Sequence, residues 1–437
     1  MEVLVVAGEQ PTGLHYALTL CRAKERRQVP ESKDGRQIIV KVHVVVDGHV
    51  SERARAVERA GEDFVVDGDK VDTKGTLCVH HAQDFDKADL AWVKRCKPFF
   101  LMPRPWEVAR WTAWAREHAQ PGTVVACMHP CLDHIGKILE VFDEKSQIPI
   151  LFGAPFYAAS FRNGDNAICA SSLGSILLAR IPRGKQHLSM QTQAIEAPGT
   201  HNLWYCDDTY RNNWLFGTFM WRLFDAYAAL LFDPARPRSF HEQLAADGGL
   251  HRRALLALFD EALVLIPKKE RSLIEFVGSP LALSLSSTRL LLRMPDPIFS
   301  MLQGLWPMLT LTGFVSSCNG VHHGDADALR AAPFFNGFVV EQTKKLIADG
   351  LAGATEPSFN AFLVEQSSKA HKATETAGKI PLLAPADIEP HLQKTPLFSL
   401  PVALCIVLAV LACIFIVLPG CCAVALNIIL PNEAKFL

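Results

Sequence analysis

The chain has 437 residues, 49% of them hydrophobic, which is enough for two or three domains with cores of ordinary size. Its 44 lysines and arginines against 45 aspartates and glutamates give a formal net charge of −1, without the basic excess that a nucleic-acid binder carries. Of its 12 cysteines, Cys405, Cys413, Cys421 and Cys422 lie in an apolar tail. The others lack the paired spacing of a disulfide framework, so a reducing compartment is expected.

The chain begins Met1-Glu2 and enters a continuous apolar run, Val3 to Ala7, the pattern of a strand buried on both faces of a parallel sheet. Neither a secretory signal nor a basic, acid-poor presequence is visible, so targeting is expected from the tail, unless a presequence has been removed. After the turn Gly8-Glu9-Gln10-Pro11-Thr12-Gly13, a helix is expected from about Leu14 to Arg26. A polar connection through Gly35 follows, then a second strand from Ile38 to Val46, closed by Asp47-Gly48. Asp89 to Val93 and Thr123 to Cys127 are further strand candidates, with a helix from about Trp106 to His118 between them. Ile148 to Gly153, with Pro149 marking a strand start or an edge, and Ser175 to Ala179 extend the series. Strands alternating with helices predict an open, doubly wound α/β domain over residues 1–200.

From about Asn212 the period changes. Trp214 to Phe232, Leu250 to Leu265 and Pro333 to Leu351 have apolar residues at helical spacing, which predicts a helical domain over 201–369. The cluster Trp204, Trp214, Phe216, Phe219, Trp221 and Phe224 reads as core or as a flat contact surface. Residues 370–396 hold Pro381, Pro385, Pro390 and Pro396 among polar residues and read as a linker. No charged side chain then occurs between Lys394 and Glu433. As a helix, Leu397 to Leu418 would reach about 33 Å, enough for the hydrocarbon core of a bilayer. A single membrane anchor over 397–430 is the expectation; a long buried helix is the alternative.

A turn between first strand and first helix is where dinucleotide folds hold a pyrophosphate, using one glycine to turn, one to admit the phosphate and one to pack helix on strand. Gly8 and Gly13 stand at the first and third places and Gln10 at the second, with Glu9 adding a negative charge. Asp47 is either a ribose acceptor or a turn residue. Phe335-Asn336-Gly337-Phe338-Val339-Val340, followed by Glu356-Pro357-Ser358-Phe359-Asn360, then carries a resemblance. With Pro121 to Gly136 and Asp89 to Lys94, it resembles ketopantoate reductase over about residues 1–370. The resemblance implies a Rossmann-type domain, a helical domain of the 6-phosphogluconate-dehydrogenase C-terminal kind, and NADP or NAD at Gly8, Gln10, Gly13, Asp47 and Lys94.

The catalytic positions that the same resemblance implies are changed. His129-Pro130 stands where an Asn-Gly pair would meet nicotinamide and substrate. Phe216, two residues after Trp214, stands where the proton-donating lysine would be, and Ala331 where a substrate-binding glutamate would be. Phenylalanine has no proton to give. Ser316-Ser317 resembles a substrate-contacting segment or is a simple turn. Cys127, Cys131 and His134, with His129 between and Cys318, His322 and His323 distant, carry soft ligands without a standard metal spacing, and no metal is expected. His80-His81 reads as an exposed strand end, and no Gly-x-Ser-x-Gly elbow occurs. The expectation is therefore a tail-anchored, catalytically inactive relative serving as scaffold or accessory subunit of a membrane complex. An organelle membrane is expected, mitochondrial ahead of endoplasmic reticulum. Cofactor would be vestigial, and a homodimer is compatible. The alternative is an active NAD(P)-dependent keto-acid reductase tethered to that membrane, with His129 or Lys94 supplying the proton.

Overall fold

The computed structural model describes residues 2–25, 41–87, 90–128, 132–142, 148–155, 159–161, 167–170, 175–180, 202–206, 208–231, 244, 247–266, 268, 271, 285–305, 326–351, 355–377, 380–392 and 397–412. Strand β1 (Glu2–Gly8) is followed by α1 (Pro11–Glu25), β2 (Lys41–Val46) and α2 (Gly48–Ala60). Strands β3 (Phe64–Val66), β4 (Asp69–Val71) and β5 (Leu77–His81) come next, then β6 (Cys96–Leu101), α3 (Val108–His118), β7 (Val125–Cys127) and α4 (Leu132–Val141). The α/β part closes with β8 (Ile150–Pro155), β9 (Ala159–Phe161), β10 (Ala167–Ala170), β11 (Ser175–Arg180) and β12 (Asn202–Cys206).

The main sheet runs β12-β11-β8-β7-β6-β1-β2-β5. Strands β8, β7, β6, β1, β2 and β5 are mutually parallel, while β11 lies antiparallel to β8. The chain builds outward from β1 through β2 to β5, then crosses back to β6 on the other side of β1. That reversal is the switch point where open α/β sheets place their crevice. Val3 to Ala7 of β1 and Val44 to Val46 of β2 are apolar because both faces are covered. Val3, Val5 and Ala7 pack under α1, while Leu4 and Val6 join Trp111, Ala115 and Ile138 on the opposite side. Helix α1 buries Leu14, Ala17, Leu18 and Cys21 on one stripe. A second sheet, β4-β3-β10-β9, closes one side of the molecule; its three- and four-residue strands gave too little periodicity to be read from sequence.

The expected strand over Asp89–Val93 is corrected. Leu90–Arg95 forms a 3₁₀ turn, and the strand is the next run, Cys96–Leu101. Trp92 leaves the ladder to stack flat on His80 at 3.8 Å and His43 at 4.6 Å. Asp47 closes β2 as expected, but it also starts α2: its Oδ1 accepts the Gly48 N–H, and Gly61 ends the helix in the left-handed region.

The helical part comprises α5 (Asp208–Leu231), α6 (Leu250–Ala262), α7 (Leu285–Leu292), α8 (Asp296–Leu305), α9 (Ala326–Ala348) and α10 (Ser358–Ala377). Helix α9 begins two turns before the expected Pro333 and carries that proline inside. Phe219 and Phe224 lie in the core, so for these two the aromatic cluster is packing rather than surface. Residues 370–396 do not behave as a free linker. Helix α10 continues to Ala377, and α11 (Pro385–Ile388) leads into a 3₁₀ turn, with Ile388 and Leu392 fully buried in the helical core. Arg253 pairs with Glu389 at 2.7 Å, and the Leu383 N–H donates to the Leu230 carbonyl. Proline content pointed to an extended connection; the interspersed Ile380, Leu383, Ile388 and Leu392 bind it to the domain.

Helix α12 (Leu400–Ala412) opens the apolar tail. Ala403 is buried in the helical core with Ile406 and Val407 beside it, while Leu400, Val402, Leu404 and Leu408 are exposed. No helix among the described residues is long and apolar enough to cross a membrane; the expected anchor beyond Ala412 lies outside them.

Candidate functional site

The carboxyl ends of β1, β2 and β6 meet at the switch point, and the loop after β1 performs two of the three glycine tasks. Gly8 takes φ +57, the left-handed turn that glycine favours. At Gly13 a Cβ would stand 2.6 Å from the Ala7 Cα, so the absence of a side chain lets α1 lie directly on β1. The task of admitting a phosphate is missing. Gln10 is buried at that place, and its Oε1 has no hydrogen-bond partner among the described residues. Pro11 opens α1 without an N–H, and the Gly13 N–H turns back onto the Gln10 carbonyl at 3.1 Å.

One further donor of the loop, the Glu9 N–H, is taken from within the chain. Glu107 ends a 3₁₀ turn (Pro105–Glu107) after β6, with its carboxyl directed into the loop. Its Oε2 accepts the N–H of Glu9 at 3.1 Å and of Arg104 at 3.0 Å, and its Oε1 accepts Trp111 Nε1 at 3.2 Å. A Cβ on Gly8 would meet that carboxyl at 2.6 Å. Burial pushes the Glu107 carboxyl above the usual range, against the pull of its backbone and indole donors. A carboxyl thus holds two backbone N–H groups beside the glycine loop, one from Glu9 in the loop and one from Arg104 after β6.

The surrounding charges are matched in the same way. Glu9 packs against Gly48 and accepts Trp106 Nε1 at 3.2 Å, with Arg330 of α9 at 3.7 Å. Arg330 also lies over the Trp106 ring at 4.2 Å, and Arg104 pairs with Asp327 of α9. Both oxygens of Asp47 are engaged, one by the Gly48 N–H and the other by Arg110 at 2.7 Å, so a ribose hydroxyl would have to displace an ion pair. These contacts join the α/β part to the helical part across the crevice. The residues present do not fit a bound dinucleotide: a buried glutamine, a buried carboxyl and a neighbouring glutamate fill the phosphate end.

Gly8, Gln10, Gly13 and Asp47 are thus brought together at the crevice, but Lys94 is not. It precedes β6 at the amino end of the sheet, the opposite edge. Phe216 on α5 and Ala331 on α9 are half-buried against the helical core, while Leu215 packs into the α/β core, so the start of α5 lies on the seam between the two. His129, Pro130, Cys131, Ser316, Ser317, Cys318, His322 and His323 lie outside the described residues, as do the side chains of Trp214 and Trp221. Cys127 and His134 are both buried. Burial holds the Cys127 thiol up at about 12 and the His134 imidazole down, and no group of three ligands among the described residues includes them.

The Asn336 and Asn360 pair, the best-matched motif of the sequence, is structural. Asn336 Nδ2 donates to the Asn360 Oδ1 at 2.9 Å and to the Leu223 carbonyl at 3.1 Å, while Glu261 accepts the Phe359 and Asn360 N–H groups at 2.9 Å each. Both asparagines are fully buried, locking α9, α10 and α5 together. Glu107, Arg104, Arg110, Trp106 and Arg330 were missed by sequence reasoning. Misplacing β6 hid the fact that Arg104 to Glu107 follow the strand on the far side of the switch point, where a carboxylate faces the glycine loop.

No family model matches this sequence, and a search of curated proteins finds no match. Solved structures do match. A ternary complex of D-mandelate dehydrogenase with NADH and anilino(oxo)acetate superposes with a TM-score of 0.57 at 14% identity, covering 86% of this chain and 99% of that one. A PanE/ApbA family ketopantoate reductase from Ralstonia eutropha JMP134 gives 0.51 at 12% identity, covering 86% and 100%. A 2-dehydropantoate 2-reductase from Geobacter metallireducens GS-15 gives 0.50 at 15%, covering 84% and 100%. At these identities the likeness is one of fold: a parallel Rossmann-like sheet joined to a helical domain, spanning essentially the whole length of those proteins.

Proposed function

We propose that this chain, with its ketopantoate-reductase fold, has given up the dinucleotide and serves as a scaffold or accessory subunit held at an organelle membrane by its C-terminal segment. The observation that carries this reading is the buried Glu107 carboxyl on the N–H groups of Glu9 and Arg104, a negative group set beside the glycine loop where the fold would hold a pyrophosphate. Gln10 in place of the second glycine and Phe216 in place of an acid group support it from the sequence. The charge-free stretch between Lys394 and Glu433 supports attachment to a membrane, of mitochondria ahead of the endoplasmic reticulum, and α12 already exposes Leu400, Leu404 and Leu408.

The test uses the full chain in detergent, titrated with NADPH and NADH by calorimetry and tryptophan fluorescence. Absence of binding at millimolar cofactor is expected. Micromolar binding of either would overturn the scaffold reading in favour of a tethered NAD(P)-dependent reductase. Recovery of the full chain in the soluble fraction after alkaline extraction of membranes would overturn the anchor.

A further inference from the structure

The amino end of the sheet, the edge away from the crevice, carries a second polar group. Register brings together the first residues of β1 and β6, Glu2 opposite Cys96, while β2 adds His43 and β5 adds Cys78 and His80 on the same sheet face. His43 and Cys96 are buried to within 2% of full occlusion, and Glu2 is a quarter exposed. His43 Nε2 stands 3.2 Å from Glu2 Oε2, and Glu2 oxygen, His43 nitrogen and Cys96 sulfur all lie within 4.8 Å of one another. Behind them, His43 Nδ1 is 3.0 Å from His80 Nε2, and the Trp92 ring stacks on both imidazoles.

We propose that Glu2, His43 and Cys96 form a binding site for a divalent transition-metal cation of the zinc type, with His80 orienting the ligand imidazole. Tetrahedral zinc with bonds of about 2.0–2.3 Å holds its ligand atoms roughly 3.3–3.8 Å apart, which small side-chain rotations reach from the present geometry. One thiolate, one imidazole and one carboxylate make a mixed soft and hard donor set that favours zinc over magnesium or calcium. The three ligands leave a fourth position for water.

The protons balance. In the metal-free chain His43 donates from Nε2 to Glu2 and accepts at Nδ1 from His80 Nε2. On binding, His43 gives up the Nε2 proton and takes one at Nδ1, now donating to His80 Nε2. His80 shifts its own proton to Nδ1, so the pair stays neutral. The Cys96 thiol, whose present contact is the Trp92 carbonyl at 3.6 Å, releases one proton to solvent. Carboxylate and thiolate then neutralise the dication. Arg95, 57% exposed with its Nε 3.3 Å from Glu2, is the competing cation and is free to turn to solvent.

The full chain in detergent, reduced and stripped with a chelator, is titrated with cobalt(II) and then zinc(II). One equivalent of cobalt should give a thiolate-to-metal absorption band, displaced by zinc, with about one proton released. Cys96→Ser should abolish the band, and Glu2→Gln, at a partly exposed strand start that tolerates the change, should weaken binding about tenfold. Cys127→Ser should leave it intact. Absence of a band at stoichiometric cobalt would overturn the site. So would a band that survives Cys96→Ser or is lost with Cys127→Ser, which would move the metal to Cys127, Cys131 and His134.

Discussion

The two ends of the parallel sheet face opposite chemistry. At the carboxyl ends of β1, β2 and β6, carboxyl groups of the chain take the backbone N–H groups and arginines around them, and the helical domain seals the arrangement through Arg330 and Asp327. At the amino ends of β1 and β6, and just behind them on β2 and β5, the polar groups are two imidazoles, a thiol and a carboxylate one quarter exposed. The fold ordinarily binds its ligand at the first end. Here that end is satisfied from within, while the second gathers soft donors that hydrogen bonds among themselves use only in part. Sharing a fold with dinucleotide enzymes therefore does not carry the site along with it.

Three substitutions test how far the two ends differ. The largest effect is expected at Gly13→Ala, whose Cβ would press on the Ala7 backbone; lifting α1 from β1 should cost about 3 kcal/mol in denaturant unfolding. An unchanged midpoint would mean that the loop is more open than described. Glu107→Ala should cost about 2 kcal/mol by stranding three donors, whereas Glu2→Ala in metal-free protein should cost less than about 1 kcal/mol, because Glu2 is partly solvated. Equal losses at the two sites would erase the contrast.

The smallest effect is a dependence on pH. Burial raises the Glu107 carboxyl, so the folded chain keeps that proton at pH values where the unfolded chain, near its ordinary 4.5, has lost it. Its contribution is most favourable below that value and is lost as pH rises through the raised one. The stability of the native chain relative to Glu107→Gln should fall across that window. A difference that instead grows with pH would show the N–H donors outweighing burial.

The legible parts of the sequence were those where one local pattern had one physical cause. The unbroken run Val3 to Ala7 announced a strand covered on both faces, and β1 is that strand. Gly8 and Gly13 were placed at their turning and packing tasks, and Gln10 at the place of the missing one, because each task is a steric demand on a single position. Asn336 and Asn360 stood out in the sequence without a role, since only the packed helices reveal that each is buried against the other. The strand expected at Asp89–Val93 was misplaced and Cys96–Leu101 overlooked: Trp92 is as apolar as any strand residue, and it instead stacks on two histidines of β2 and β5. Prolines made residues 370–396 look like a linker, although Ile388 and Leu392 are buried in a core built mainly by helices far earlier in the chain.

The sequence by itself determined the order of the layers, the damaged glycine loop and the uncharged tail, because these are properties of neighbours along the chain. Only the tertiary structure decided what fills the crevice and what gathers at the other end of the sheet. Glu107 reaches a loop 98 residues earlier, and Glu2, His43 and Cys96 meet only because β2 and β6 flank β1. Such contacts depend on strand order and register, and neither composition nor periodicity encodes which strands become neighbours.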